Sequence, residues 1–393
     1  FYGDALDTYS RVNSSGMSIV LDGTERADIG SDITLTGGTI TLLSSAADKL
    51  IIDSSISLLS DSLFCPSKAI RLLDNTSRYI PNNVDLFIIE KKSNAKHKQK
   101  IQLFFSLYKY IKVLDAVFNY WRYCSTIKKK NINYMIMWNG LKYKQNLMKL
   151  ATSKYKVKIF YMENGLIPGM TTIDNKGVNY LNSVPRSPNF FLARLTNKYS
   201  KPTICTCENK KIFIPFQVNT DSQIIKYSPW IRDMYALVKT ISDHCQYLPK
   251  GYKVIFKTHP KCPEDYSELF NKFEGHSHII FDNENPTNTL IEKSEIVLTI
   301  NSTVGIEGLI QYKKVITLGD AFYNIDGLVH HAGNSKQLKE IFCSIEKLEI
   351  NYYLISSFLD YMINEYQIPG SWTNPDNNHF RKIITKINKF ICQ

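Results

Sequence analysis

The sequence lacks the features that would place it in a membrane or in an oxidising compartment. No apolar run approaches the roughly 18 residues that a spanning helix needs, and the start at Phe1 shows no signal-peptide pattern. The eight cysteines are dispersed without a CxxC pair, and the CxC of Cys205 and Cys207 is too little for a four-ligand zinc site. We therefore expect reduced thiols and a cytoplasmic protein or excised module, with peripheral contact to the inner membrane left open.

Familiar nucleotide-binding and metal-binding motifs are also missing. The sequence contains no GxxxxGK[ST] loop and no GxGxxG loop, which are the signatures of P-loop and dinucleotide-binding sites. No Asp-x-Asp pair stands beside a predicted strand end. We therefore predict neither a metal site nor a bound cofactor.

What the chain does have is enough apolar sequence for a large core and an excess of positive charge. Its 393 residues are 44% hydrophobic and 21% charged, which is typical of a globular protein of two domains. Lys and Arg exceed Asp and Glu by 48 to 36, with basic runs at 91–100 and 127–130. This balance indicates an anionic partner, although either run alone is equally typical of a solvated surface.

Short apolar runs alternate with helix-like segments along most of the chain. Alternation of this kind predicts an α/β protein with parallel sheets covered on both faces, here two doubly wound domains. We expect an N-terminal domain over 1–200, a second domain over 201–350, and C-terminal helices over 351–393 that pack back on the fold. The predicted strands lie at 17–23, 49–55, 85–90, 134–140, 156–165, 211–217, 252–260, 278–282, 295–303 and 314–320.

Three predicted strand ends carry polar side chains, and ligands of open α/β sheets bind at the carboxyl ends of strands. Glu163 leaves an apolar strand and enters a Gly- and Pro-rich stretch that we expect to be an irregular loop. Lys257 and His259 end another strand, and their spacing of two lets both side chains hold one phosphate. Structural roles, a turn cap for Glu163 and a packed imidazole for His259, remain the alternatives.

The third strand end is the stretch EIVLTINSTVGIEGLI, residues 295–310. A β-branched strand breaks there into Asn301, Ser302 and Thr303, followed by Gly305 in an apparent helix. Ser and Thr are good N-caps, and free N–H groups at a helix start attract anions. Glu307 lies about one turn inside the helix, within reach of ribose hydroxyls. The alternative is an ordinary capped helix.

Together these stretches resemble the bacterial capsular-polysaccharide synthesis family, whose members are retaining β-Kdo glycosyltransferases (Kdo is 3-deoxy-manno-octulosonic acid). The resemblance covers about 138–328 and is strongest in the Asn-Ser-Thr-Val-Gly and Gly-Val-Asn blocks. The blocks that carry it are WNGLKYKQ (138–145), ENGLIPGMTTIDNKGVNYLNSVPR (163–186), PFQVNTDSQI (215–224), FKTHP (256–260) and LTINSTVGIEGLIQYKKVITLGDAFYNIDGL (298–328).

The resemblance implies two Rossmann-like domains facing a cleft, a GT-B-like arrangement, with CMP-Kdo as the donor substrate. In that reading the phosphate is held by Lys257, His259, Ser302 and Thr303, and Glu307 binds the ribose. Asn301, Gly305 and Gln223 complete the predicted donor site.

Net retention by double displacement needs a carboxylate nucleophile and a base, for which Asp221 and Glu163 are the candidates. We favour Asp221 as the nucleophile, although the two roles are interchangeable on this evidence. The expected acceptor is a glycan or a lipid-linked glycan, and no nucleic acid is expected.

Two other functions remain open at this point. The HP and Ser-Thr elements also resemble those of bacterial sialyltransferases, which use another CMP-activated ulosonic acid. A non-catalytic basic module that docks on anionic lipid or polysaccharide is the third reading, and it would bind CMP without turning it over.

Overall fold

A computed structural model describes residues 105–194, 210–260, 262, 264–372 and 374–392 of the chain. The strands predicted at 17–23, 49–55 and 85–90, the basic run at 91–100, and Cys65, Cys205 and Cys207 lie outside these residues. The five cysteines in the described part are free of disulfides, and no helix there is long and apolar enough to cross a bilayer. Mixed strands and helices confirm the α/β class.

The chain forms two compact units, which we describe separately. Of the described residues, the first contains those up to Ser183 and from Gln367 onwards, and the second contains those between Val184 and Tyr366. In chain order the strands of the described residues are β1 (Tyr134–Trp138), β2 (Lys158–Asn164), β3 (Met170–Asp174), β4 (Lys211–Pro215), β5 (Lys253–Lys257), β6 (Ile279–Phe281), β7 (Ile296–Thr299), β8 (Lys314–Thr317), β9 (His330–His331) and β10 (Ile368–Pro369).

In the described part of the chain, most strands are followed by at least one helix. Single 3₁₀ turns lie at Asn179–Leu181, Cys245–Tyr247 and Ile345–Lys347, and a π-helical turn lies at Met362–Tyr366. The α-helices are α1 (Phe105–Lys130), α2 (Tyr143–Lys154), α3 (Pro188–Leu192), α4 (Ser222–Tyr227), α5 (Met234–His244), α6 (Ser267–Lys272), α7 (Thr287–Glu292), α8 (Val304–Ile310), α9 (Ser335–Cys343), α10 (Tyr352–Tyr361) and α11 (Asn377–Cys392).

Among the described residues, the first unit contains a sheet of four strands in the order β1-β2-β3-β10. One face packs on α1 and α2, where Met135 and Met137 of β1 meet Leu147 and Ala151. On the other face the ring of Phe390, from α11, stacks on Phe160 of β2 at 6.1 Å between centroids. Both faces are therefore covered, as the apolar runs predict.

In the described part of this unit the sheet is mixed, whereas the sequence predicted parallel strands. β1 and β2 are parallel, but β3 runs antiparallel to both β2 and β10. The cause is the turn after β2, where a side chain on Gly165 would overlap the backbone of Met170 and where Gly169 has φ +77°. A short turn can join only antiparallel strands, since parallel strands need a long crossover. The stretch after Glu163 is thus a hairpin and not an irregular loop.

The second unit contains a six-stranded parallel sheet in the order β6-β5-β4-β7-β8-β9. Numbered from β4, this is the order 3-2-1-4-5-6 of a doubly wound nucleotide-binding domain. Residues of β4 and β7 are buried almost completely, and the core also contains Leu237 of α5 and Phe342 of α9. The strands predicted from residue 211 to residue 320 are all confirmed, each two to five residues shorter than predicted.

The division into units differs from the predicted one in two places. The break falls after Ser183 and not after residue 200, because α3 packs against α10: Ser357 Oγ donates to the carbonyl of Phe191, and the rings of Phe191 and Phe358 meet at 5.4 Å. The predicted C-terminal segment 351–393 also divides, since β10 joins β3 and carries residues from Gln367 onwards into the first unit.

Candidate active site

The strand order of the second unit locates a ligand crevice. The chain runs from β4 to β5 and β6 on one side, then returns to place β7, β8 and β9 on the other. In open α/β sheets, ligands bind outside the carboxyl ends of the strands where this reversal occurs. Here that point lies between Pro215, the last residue of β4, and Thr299, the last residue of β7.

A buried pair of amides joins the two strand ends at this point. Gln217 Nε2 donates to Asn301 Oδ1 at 3.0 Å, and Gln217 Oε1 accepts from the backbone N–H of Asn301 at 3.2 Å. Asn301 Nδ2 in turn donates to the carbonyls of Gln223 at 3.0 Å and Tyr227 at 2.9 Å. The side-chain amide of Asn301 is therefore hydrogen-bonded within the protein, and its contact with the donor stays a prediction.

The start of α8 is fixed by contacts that the sequence did not reveal. Ser302 Oγ accepts from the N–H of Val304 at 3.2 Å, and buried Tyr323 donates its hydroxyl to the carbonyl of Ser302. A side chain on Gly305 would overlap the phenol ring of Tyr323, so only glycine fits there. Ser302 and not Thr303 supplies the hydroxyl that caps the helix, and the Thr303 side chain is exposed.

Lys257 is the last residue of β5, and His259 lies two residues further on, next to this crevice. The backbone N–H of Phe216 donates to the carbonyl of Lys257 at 2.8 Å, which places Lys257 beside the residue that precedes Gln217. Asn283, just after β6, anchors the stretch: its carbonyl accepts from Lys257 Nζ at 2.9 Å, and its Oδ1 accepts from the N–H and hydroxyl of Thr258, each at 2.8 Å. His259 is half-buried in the turn that follows.

Asp221 and Gln223 lie at the start of α4. The carboxylate of Asp221 is exposed and accepts from the backbone N–H of Gln223 at 2.8 Å, so it caps the helix. The Gln223 carbonyl accepts from Asn301, as described above. Its side-chain Nε2 is buried and has no hydrogen-bond partner among the described residues. A chain of hydrogen bonds thus connects Gln217, Asn301, Gln223 and Asp221.

Asn219 also holds this segment in place and was not singled out from the sequence. It is buried, its Oδ1 accepts from the N–H of Met234 at 2.8 Å, and its Nδ2 donates to the carboxylate of Glu264 and to the hydroxyl of Tyr266. The signal was present in PFQVNTDSQ, where Gln217, Asn219 and Asp221 recur at a spacing of two directly after an apolar strand.

Glu307 is the acidic side chain within α8. It is half-buried, and burial raises the pKa of its carboxyl above the ordinary value. Its carboxylate has no hydrogen-bond or ion-pair partner among the described residues, so its acceptor capacity is open to hydroxyl donors.

Glu163 belongs to the first unit, so its placement relative to Asp221 stays a prediction, as does the cleft between the domains. It lies within β2, opposite Thr172 of β3. Asn139 Nδ2 donates to Glu163 Oε2 at 2.5 Å, while the N–H of Asn164 donates to Oε1 at 3.0 Å. Asn139 has a left-handed backbone (φ 60°) directly after β1, and the Asn-Gly pair that follows Trp138 was the signal for it. The carboxylate is therefore held in one orientation.

No group of three or more His, Cys, Asp or Glu residues suited to a metal ion occurs within the described ranges. The polar groups of the second unit instead combine ammonium, imidazole, hydroxyl and amide donors. Donors of these types recognise phosphate and sugar oxygens. The second unit is accordingly an α/β domain of nucleotide-binding topology with a polar crevice at its reversal point.

Comparison with known proteins agrees with the family resemblance over this unit. Residues 201–373 match the model of the family described as capsule polysaccharide biosynthesis protein, so the predicted resemblance is confirmed for that segment. Protein FixF of Sinorhizobium fredii is 34% identical over 254 residues, which cover 61% of this chain and 61% of FixF. The capsule polysaccharide modification protein LipB of Neisseria meningitidis is 29% identical over 126 residues, 30% of each chain. The chain thus spans less than two thirds of these relatives.

Two solved structures show weaker likenesses. Thermosulfurimonas dismutans KpsC, beta Kdo 2,7 transferase, is 17% identical with a TM-score of 0.41, covering 67% of this chain and 89% of that one. The UDP-GlcNAc 2-epimerase of Neisseria meningitidis is 12% identical with a TM-score of 0.38, covering 95% of this chain and 100% of that one. TM-scores this low carry no weight for function.

Proposed function

We propose that this protein is a retaining β-Kdo transferase, which moves Kdo from CMP-Kdo to a cell-surface glycan or glycolipid. The family match over 201–373 and relatives named for capsule polysaccharide support a role in glycan synthesis. The observation that carries the proposal is the cluster at the reversal point of the second sheet. There, separate strand ends bring Lys257, His259 and Ser302 to one edge, beside a hydrogen-bonded chain that ends at Asp221.

The phosphate of CMP is the first requirement. When the bond from Kdo C2 to the phosphate oxygen breaks, negative charge grows on that oxygen, and preorganised donors stabilise it best. Lys257 has three N–H donors and gives one to Asn283, which leaves two for the phosphate. His259 and the hydroxyls of Ser302 and Thr303 complete the set. Glu307 accepts from the ribose hydroxyls.

Retention follows from two displacements at the same carbon. Asp221 attacks Kdo C2 with a carboxylate oxygen, and CMP leaves with the electron pair of the broken C–O bond. Glu163 then removes the proton of an acceptor hydroxyl as that oxygen attacks C2, and the Asp221 carboxylate is released. Two inversions give net retention. The hydrogen bond from Asn139 keeps Glu163 oriented for this proton transfer.

The test is to incubate the protein with a CMP-Kdo-generating system and a panel of acceptor glycans, measure CMP release, and locate any new linkage by NMR. A β-linked Kdo product supports the proposal. Lys257→Met should lose most of the activity, while Lys250→Met, at the opposite end of β5 and exposed, should keep it. Faster turnover of CMP-sialic acid than of CMP-Kdo would favour the sialyltransferase reading. Tight CMP binding without any turnover would favour a non-catalytic module.

A further inference from the structure

The first unit carries a band of lysines that plays no part in the proposed chemistry. We call it the basic rim. Six of its members are exposed and one is half-buried. Three segments contribute to it, and residues 123–134, 151–162 and 387–392 contain no Asp, Glu or Arg to offset or share its charge. The members are Lys128, Lys129, Lys130, Lys154, Lys156, Lys158 and Lys389.

The fold gathers these segments at one edge of the first sheet. The N–H of Lys158, at the start of β2, donates to the carbonyl of Asn133 at 2.9 Å, which joins the approaches to β1 and β2. The rings of Tyr134 and Phe390 lie 6.2 and 6.1 Å from the ring of Phe160, so the end of α11 meets the same edge. Lysines far apart in the sequence therefore lie at the same end of this sheet.

Half-buried apolar and aromatic side chains lie among the lysines: Tyr134, Tyr155, Phe390 and Ile391. A surface that combines lysine ammonium groups with partly exposed aromatic and aliphatic groups is suited to the interface of an anionic bilayer. Nucleic-acid surfaces usually present arginines, whose planar guanidinium groups bind phosphates in pairs of hydrogen bonds. The three segments of the rim have none. We infer that the basic rim docks this protein on an anionic lipid surface.

Docking through the basic rim would determine how far the acceptor must extend from the membrane to reach Glu163. This step rests on the proposed function. Lys158 and Glu163 belong to the same strand and are five residues apart. At ~3.3 Å per residue, Glu163 stands roughly 16 Å from the rim along β2. With β2 upright on the membrane, a lipid headgroup at the bilayer surface would not reach Glu163. The acceptor class that fits is a lipid-linked glycan whose growing end is several sugars long.

The experiment is co-sedimentation of the full chain with phosphatidylcholine vesicles that contain one third phosphatidylglycerol. The rim variant Lys154→Gln, Lys156→Gln, Lys158→Gln should bind about a hundredfold more weakly than wild type, because each lysine near an anionic surface contributes about a fivefold factor. A matched variant, Lys250→Gln, Lys336→Gln, Lys347→Gln, removes the same charge from exposed positions of the second unit and should bind as wild type does. Binding should disappear on pure phosphatidylcholine and at about 0.5 M salt.

Several results would overturn the inference. The inference fails if the rim variant sediments with vesicles as wild type does, or if the matched variant loses as much vesicle binding as the rim variant. It also fails if vesicle binding of the wild-type protein persists at high salt. Rim-dependent binding of single-stranded DNA without vesicle binding would assign the surface to nucleic acid instead. Failure of the proposed function is separately visible, since transfer to a short soluble acceptor should be the same in the rim variant and in wild type.

Discussion

Replacing Asp221 with asparagine should abolish transfer and leave the fold intact. The carboxylate has two roles in our account: it caps α4 by accepting from the N–H of Gln223 at 2.8 Å, and it attacks the donor sugar. Asparagine caps helices about as well as aspartate, because its side-chain oxygen accepts the same hydrogen bond. Its neutral amide cannot act as the nucleophile. The substitution therefore removes one role and keeps the other.

The two effects have very different sizes. We expect the free energy of unfolding to change by less than about 0.5 kcal/mol, since the cap survives. Transfer should fall by on the order of a thousandfold or more, which corresponds to about 4 kcal/mol of lost transition-state stabilisation. Asp221→Ala should lose the same activity and also about 1 kcal/mol of stability, because the cap is then gone.

The second unit offers a matched control. Asp233 caps α5 in the same way, accepting from the N–H of Ala236 at 2.8 Å. Asp233→Asn should leave both stability and transfer unchanged. CMP binding by calorimetry, thermal melting and transfer rate would be measured on all three variants. An active Asp221→Asn, or one that no longer binds CMP, would refute the assignment of Asp221 as nucleophile, and an inverted product would remove the need for any nucleophile.

Three further predictions address other groups. Glu163→Gln keeps an oxygen that accepts from Asn139 but removes the base, so this variant incubated with donor should accumulate Kdo bound covalently to the protein. Intact-mass spectrometry and peptide mapping should find that Kdo on Asp221. An adduct on Glu163 in wild type would reverse the two roles. His259→Ala should weaken CMP binding and slow transfer together, as measured by calorimetry and CMP release, and unchanged values for both would exclude the phosphate role. Burial lowers the pKa of His379 below its usual range. The unfolded chain therefore binds a proton at this histidine more readily than the folded chain does, and the folded state loses stability as pH falls below about 6.5. His379→Leu should flatten the fall in melting temperature between about pH 7.5 and 5.5, and an unaltered slope would contradict this.

The strands and strand-end residues of the second unit were predictable from the sequence because buried parallel strands are short and continuously apolar. Polar or turn-forming residues follow β4, β5, β7 and β8 within two positions, so Lys257 and Ser302 stood out without any knowledge of the fold. Local signals of this kind depend only on neighbours along the chain.

Other elements had no such signal. β9 and β10 contain two residues each, too few to show any periodicity. The hairpin after Glu163 depended on the close approach of Gly165 to Met170, and its Gly and Pro residues are equally typical of an irregular loop. The boundary between units depended on α3 packing against α10, which lies more than 150 residues further along the chain.

The sequence by itself determined the α/β class, the candidate carboxylates and the phosphate-type loops, because residue type and short spacing decide which chemistry is present. Tertiary structure decided which groups act as scaffold. Gln217 and Asn301 are 84 residues apart and meet only because β4 and β7 are neighbours in the sheet, and that contact fixes the orientation of the Asn301 amide. In the same way, Lys389 joins the end of the sheet that carries the other rim lysines only because α11 packs against β2. Side-chain partners at such separations follow from strand order, which short-range sequence patterns do not encode.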